Sequence, residues 1–369
     1  MRPTSAIGRA PRDRAVSRDI RTGASCATIR RMDTPLSDNP AEKCPPLDTP
    51  TVVGRFAPTP SGRMHLGNVF SLLMAWLGAR SVDGRVILRV EDLDPRARDR
   101  ATAEALMRDL GWLGLPWDEG PYYQSERLDI YATAVDRLST RGLTFPCFCT
   151  RAELHAATAP HLSDGTYVYQ GTCRDLTPDQ VERRRAEKDP STRLRVPGAA
   201  DPARIVEFDD LVYGHRAEDL ARDCGDFVIR RGDGVFAYQL AVVVDDALMG
   251  VSQVVRGRDL LGSVARQMYL QDLLDYSTPA YAHVPLLVAA DGRRLSKRDH
   301  DLNLSELREA GVGPRKIVGT LAAAAGLIPK GDEALPEDLL DSFSWEKIAR
   351  HRKDIVTRSL EAKTRPSNP

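Results

Sequence analysis

Two short segments carry residues whose types and spacing suit phosphate chemistry: Pro58-Thr59-Pro60-Ser61-Gly62-Arg63-Met64-His65-Leu66-Gly67-Asn68 and Arg294-Leu295-Ser296-Lys297-Arg298. The first sets small residues and a His-x-Gly step directly behind the apolar run Thr51–Ala57. A strand, a tight turn and a helix N-terminus make a phosphate site, because backbone N–H groups and the helix dipole converge there. His65 opens that helix with an imidazole able to reach phosphate oxygens, and Gly67 lets a nucleotide approach the backbone. The second segment puts Lys297 on a polar turn behind the apolar run His283–Ala290. Folded back, such a basic loop neutralises charge on phosphates as they are transferred. Alone, the His65 segment reads rather as an ordinary helix start with a satisfied capping histidine; the pairing with Lys297 reverses the reading toward a nucleotide.

Other charged residues stand at the ends of apolar runs. Arg55 closes the first run and Glu91 closes Val86–Val90. A guanidinium and a carboxylate aimed into one crevice suit a zwitterion, the first taking a carboxylate and the second an ammonium. Tyr238 and Arg256 flank the later runs and could complete that pocket, although any one of these residues could instead form a surface salt bridge. Cys147, Cys149 and Cys173 form a third group, a plausible thiolate set for one structural zinc. Ligand chemistry points to His155 or His161 as the fourth donor, and three buried free thiols are the alternative reading.

The elements that must position these groups follow a β-α-β order. Thr51–Ala57 reads as the first strand, Leu66–Arg80, with apolar residues at helical spacing, as a helix, and Val86–Val90 as the next strand. That order predicts an α/β fold with a parallel, doubly wound sheet and a crevice at the carboxyl ends of its strands. Ala101–Gly111, Tyr131–Gly142 and Gly257–Tyr276 read as helices, and Leu304–Ala325 as two helices joined at Gly311-Val312-Gly313-Pro314. Phe227–Ile229, Phe236–Val244 and His283–Ala290 read as strands, Asp245-Asp246 ending the second. From about Phe145 to Asp223 the chain is polar, Arg-rich and broken by Gly and Pro, as expected of an insertion.

Composition sets bounds. The 369 residues allow two or three domains, and the formal net charge of zero removes any global basic field. No apolar run approaches the length of a membrane span, so a soluble chain with no membrane partner is expected. Six cysteines are too sparse and irregular for a disulfide framework, which suits a reducing compartment. Residues 1–50 are rich in Arg, Ser, Thr and Pro without apolar periodicity, so they read as a disordered extension or as the result of a start placed ahead of Met32. Their composition also has the look of a transit peptide.

The pair of segments resembles the two signature motifs of class I aminoacyl-tRNA synthetases. Asn68 stands where many of these enzymes have a second histidine, and Arg298 where the second motif often ends in serine. The resemblance implies a Rossmann-like fold and adenylate chemistry: an amino-acid carboxylate attacks the α-phosphate of ATP and pyrophosphate leaves. Catalysis would then be positioning and charge stabilisation by His65 and Lys297, with Mg²⁺ on the phosphates. Arg55-Phe56-Ala57-Pro58-Thr59-Pro60-Ser61-Gly62 and Arg89-Val90-Glu91-Asp92-Leu93-Asp94 resemble the glutamyl branch, over about residues 52–325. Carried over by motif, Arg55, Ala57, Thr59, Glu91, Tyr238 and Arg256 would bind L-glutamate, and His65, Gly67, Asn68 and Lys297 would bind ATP.

Within that branch the chain resembles the small glutamyl-queuosine tRNA(Asp) synthetases. Their pattern implies Tyr169 as the fourth zinc ligand beside Cys147, Cys149 and Cys173. The chain past Lys297 is too short for an anticodon-binding domain, so the resemblance implies transfer of glutamate to queuosine in the anticodon of tRNA(Asp). A shortened glutamyl-tRNA synthetase and a non-catalytic tRNA-binding paralogue are the competing readings. The expected layout is an N-terminal extension (1–50), the first half of the catalytic domain (51–145), the zinc-bearing insertion (146–224), the second half (225–300) and a short helical segment with a tail (301–369). A cytoplasmic monomer is expected.

Overall fold

The computed structural model describes residues 51–156, 168–289, 292 and 303–356. In chain order its first elements are β1 (Val53–Phe56), α1 (Leu66–Arg80), β2 (Arg85–Val90), α2 (Arg100–Trp112), β3 (Glu119–Tyr123), α3 (Leu128–Thr140), β4 (Thr144–Cys147) and α4 (Arg151–Ala156). The middle of the chain adds α5 (Pro178–Arg185), β5 (Ser191–Leu194), β6 (Ile205–Asp210), β7 (Gly214–Asp219) and β8 (Phe227–Arg230). Then come α6 (Tyr238–Leu248), β9 (Gln253–Gly257), α7 (Val264–Leu273), β10 (Ala280–Val284), β11 (Leu287–Val288), α8 (Leu304–Glu309), α9 (Pro314–Ala324), α10 (Trp345–Arg350) and β12 (Ile355–Val356).

The expected β-α-β unit is present: β1 and β2 pair in parallel around α1, and β3 extends the sheet on the far side of β2. A second sheet runs β7-β6-β10-β9, parallel between β6, β10 and β9 and antiparallel at the β6–β7 hairpin. The two sheets meet where Ser252, just before β9, donates its N–H to the Val53 carbonyl at 3.0 Å and accepts the Val53 N–H on its hydroxyl at 2.9 Å. Chain order therefore reverses between β1 and β9. That is the topological switch point at which such sheets open a ligand crevice.

Helix α1 is buried along almost its whole length, with Leu66, Val69, Phe70, Leu73, Met74 and Leu77 all in the core. Leu304, Ile317, Leu321 and Ile348 from α8, α9 and α10 join the same apolar cluster. At Gly78 an added Cβ would lie 2.5 Å from the Trp345 ring, so the missing side chain is what lets α10 seat on α1. The strand β12 then pairs in parallel with β11. Among the described residues, no helix is long and apolar enough to cross a membrane.

One expectation fails. Phe236–Val244 is not a strand; Tyr238–Leu248 is helix α6, with Leu240 through Asp246 all buried. Leu240 through Val244 are consecutive apolar residues, and so short a valine-rich run imitates a buried strand, which periodicity alone does not separate from a helix. Asp245 and Asp246 therefore sit inside a helix rather than at a strand end. His283–Ala290 resolves into β10 and β11 with a break at Pro285-Leu286. Gly257–Tyr276 begins as a 3₁₀ turn over Arg258–Ser263 before α7.

Candidate functional site

A cavity of about 460 Å³ opens beyond the carboxyl ends of β1, β2, β9 and β10. Arg55, Ala57, Thr59, His65, Gly67, Asn68, Glu91, Tyr238 and Arg256 all line it, so every described residue expected at the nucleotide or amino-acid site reaches one pocket. Lys297 lies outside the described residues. The chain on either side of it is described: Pro285, Leu286 and Leu287 line the same pocket, and Asn303 forms an antiparallel bridge with His65. The Leu304 N–H donates to the Met64 carbonyl at 2.9 Å.

His65 is the N-cap of α1. Its Nδ1 accepts the Asn68 N–H at 3.3 Å, and the Asn68 side-chain oxygen accepts the His65 N–H at 3.4 Å. The capping reading is therefore correct, and it is compatible with the phosphate reading. An Nδ1 used as acceptor leaves the imidazole proton on Nε2, a donor suited to a phosphate oxygen. Asn68 takes part as the reciprocal half of the capping box. At Gly67 an added Cβ would lie 3.0 Å from the His65 ring, so this glycine makes room for the imidazole as well as for any ligand.

The charged walls are tied together beneath the pocket. Arg55 is buried; its Nη1 donates to the Val255 carbonyl at 2.9 Å and its Nε lies 3.5 Å from Asp246 Oδ1. The same Asp246 oxygen accepts from Arg89 Nη1 at 2.7 Å, and Arg89 Nη2 donates to Glu91 at 3.3 Å. Arg55 and Glu91, which face the cavity from different strands, are thus bridged by a buried Asp246–Arg89 pair. Burial pushes the Glu91 carboxyl up, with Arg89 and Arg55 only partly offsetting it. Burial lowers Arg55 despite Asp246. For Arg89, burial works against the charge, yet Asp246, Glu91 and Asp245 outweigh it and hold the group above the usual arginine value. Asp245 accepts from Gln124, Arg127 and Tyr131 at 2.9, 2.7 and 2.7 Å.

Arg256 is held differently. Its Nε donates to His283 Nε2 at 3.0 Å, Nη1 to the Tyr238 hydroxyl at 3.4 Å and Nη2 to the Leu260 carbonyl at 3.3 Å. Sequence reasoning missed Arg89, Asp246, Asp210 and His283, all of which support residues of the pocket wall. The signal for Arg89, Asp246 and His283 is a polar residue in or at the edge of an apolar run, and Asp210 has none.

The sulfurs of Cys147, Cys149 and Cys173 lie within 4.8 Å of one another, a cluster that could hold a metal ion. A tetrahedral zinc with Zn–S bonds of about 2.3 Å sets sulfurs roughly 3.8 Å apart, and the Cys149–Cys173 separation is 3.7 Å. The Tyr169 hydroxyl lies 3.6 Å from the Cys147 sulfur and 3.8 Å from that of Cys149, and it accepts the Cys173 N–H at 2.7 Å. His161 and the side chain of His155 lie outside the described residues. Burial and the neighbouring Cys147 push the Cys149 thiol up to about 11, so full ionisation of the set calls for a nearby cation. These residues form a small apolar cluster with Phe145 and Phe148, apart from the cavity.

A parallel sheet with a switch-point crevice, a His-x-Gly helix start and a buried charge bridge under the pocket define a class I synthetase catalytic domain. The comparisons with known proteins agree. Residues 51–360 match the family model of tRNA synthetases class I (E and Q), catalytic domain. The chain is 48% identical over 301 residues to a Glutamyl-Q tRNA(Asp) synthetase of Nitratidesulfovibrio vulgaris, covering 79% of this chain and 91% of that one. With the Glutamyl-Q tRNA(Asp) synthetase of Symbiobacterium thermophilum it is 46% identical over 321 residues, covering 84% and 97%. The solved structure of a glutamate tRNA ligase from Elizabethkingia meningosepticum in complex with its amino acid superposes with a TM-score of 0.69 at 25% identity, over 83% of this chain and 67% of that one. The chain belongs to the Glutamyl-Q tRNA(Asp) synthetase family of class I synthetases.

Proposed function

We propose that this chain activates L-glutamate with ATP as the adenylate and transfers the glutamyl group to queuosine at the anticodon wobble position of tRNA(Asp). The observation that carries the activation step is the single pocket lined by the His65-Gly67-Asn68 helix start and by Arg55, Glu91, Tyr238 and Arg256. Arg55 and Arg256 offer two cations to the two carboxylates of glutamate, and Glu91 offers a carboxylate to its ammonium. Ala57 and Thr59 line the same pocket. His65 donates from Nε2 to the phosphates. Lys297, the lysine of the second signature segment, would supply its charge to the separating pyrophosphate. No protein nucleophile is needed; catalysis is positioning and charge stabilisation, with Mg²⁺ neutralising the triphosphate.

Identity of 46–48% to the Glutamyl-Q tRNA(Asp) synthetases supports the acceptor. Cys147, Cys149, Cys173 and Tyr169 would hold one structural zinc, which would tie the end of β4 to the loop that precedes α5. Likeness to a glutamate tRNA ligase structure favours a second reading, charging of a tRNA 3′ end. Transfer of labelled glutamate to a tRNA(Asp) trimmed of its 3′ adenosine decides between them. Transfer that survives trimming and requires queuosine supports the proposal; transfer abolished by trimming establishes the 3′ end as acceptor.

A further inference from the structure

Three adjacent strands place one charged or polar side chain each in a row across the second sheet. In the β10–β9 register His283 stands directly opposite Arg256, and in the β6–β10 register Asp210 is paired at Tyr281. His283 is fully buried, and Asp210 and Arg256 are nearly so. His283 Nδ1 lies 2.6 Å from Asp210 Oδ2, while His283 Nε2 accepts from Arg256 Nε at 3.0 Å. Because an arginine N–H can only donate, Nε2 must be bare and the histidine proton must sit on Nδ1, facing the carboxylate. Asp210 Oδ1 meanwhile accepts the N–H groups of Val212 and Tyr213 at 3.0 and 2.9 Å, which locks the carboxylate itself.

We propose that Asp210 and His283 are positioning residues that fix the plane of the Arg256 guanidinium for a substrate carboxylate. Three of the five guanidinium N–H groups have acceptors among the described residues, so each terminal nitrogen keeps one N–H for a bidentate carboxylate contact. Without the His283 acceptor the fork could swing about its stem, and the bidentate geometry would be lost. The inference rests on the glutamate-activation reading and adds to it the device that aims one of its two cations. Burial holds His283 down at about 4, so the ring stays neutral in its accepting form at ordinary pH.

The test is Asp210→Asn. Its amide oxygen can keep the two turn bonds, while its NH₂ faces His283 Nδ1, drives the proton to Nε2 and sets two donors against each other at Arg256. In ATP–pyrophosphate exchange, the KM for glutamate should rise about 10-fold or more while the KM for ATP stays within about 2-fold. In an Arg256→Lys background, which has no Nε–H fork to aim, Asp210→Asn should add little. A second pair covers the case in which Asp210→Asn fails to fold: His283→Gln, which keeps an acceptor, should outperform His283→Leu for glutamate. An unchanged glutamate KM in Asp210→Asn, equal defects in the Gln and Leu variants, or a full Asp210→Asn penalty in Arg256→Lys would each overturn the proposal. Failure of the activation reading looks different: the wild-type chain itself would neither bind glutamate nor exchange, and both proposals would fall.

Discussion

The crevice and the cysteine cluster solve the same problem, holding reactive side chains still, by different means. In the crevice the charges are held by other protein groups. Arg55 and Glu91 are bridged through Asp246 and Arg89, and Arg256 is gripped by His283, Tyr238 and the Leu260 carbonyl. Arg55 reaches Val255 on the second sheet, and Arg55 and Arg89 both reach Asp246 on α6, so the geometry exists only when these elements are assembled. In the cysteine cluster three sulfurs and a phenol face one another beside a handful of buried residues, Cys147 at the end of β4, Cys149 just after it, and Tyr169 and Cys173 on the loop before α5. The first site is organised by sheet register before any ligand arrives, whereas the second is a donor set suited to organisation by a cation. Damage to one should therefore stay out of the other.

The comparison breaks most severely at Arg89. It is fully buried, and Asp246, Glu91 and Asp245 stand around it at 2.7, 3.3 and 3.7 Å. Arg89→Met strands those carboxylates and should destabilise the fold by about 3–5 kcal/mol, read from denaturant unfolding. Loss below about 1 kcal/mol would show that the bridge is not what holds the crevice.

Lys297→Ala sharpens the catalytic side. Glutamate-dependent ATP–pyrophosphate exchange should fall by about 10²–10³ in kcat, with glutamate affinity little changed and the unfolding midpoint intact. Exchange at the wild-type rate would remove Lys297 from the mechanism.

Cys147→Ser tests the separation of the two sites directly. Elemental analysis should show loss of one zinc per chain, and amide exchange should rise in β4, β5 and β8. Glutamate activation should stay within about 2-fold, because the cysteine cluster lies outside the crevice. A proportionate loss of activation would show that the two regions are coupled.

The smallest effect concerns acid. Glu91 must be ionised to receive an ammonium, and burial raises its pKa. As pH falls, glutamate KM should begin to climb above the usual range for a glutamate side chain, and Glu91→Gln should give a high KM with that limb flattened. A wild-type profile that stays flat until the ordinary carboxylate range would count against Glu91 as the ammonium partner.

The chain itself determined where the chemistry-bearing residues stand on their elements. A charge at the end of an apolar run marks a strand's carboxyl end, and a polar turn before apolar residues at helical spacing marks a helix start. Arg55 and Glu91 were legible by the first pattern, His65 and Gly67 by the second, and Cys147-x-Cys149 because that pair is local. Tertiary structure decided the rest. The strand order β7-β6-β10-β9 is not the order of the sequence, so nothing in the run Ala280–Val284 indicates that His283 will face Arg256 on one side and Asp210 on the other. Helix α6 reads as a strand for a related reason: its short unbroken run Leu240–Val244 is valine-rich, and only the assembled core makes Asp245 and Asp246 partners of Arg89. Hydrophobic pattern reports which face of an element is buried. Which charge waits on the other side of that burial is a property of the packing.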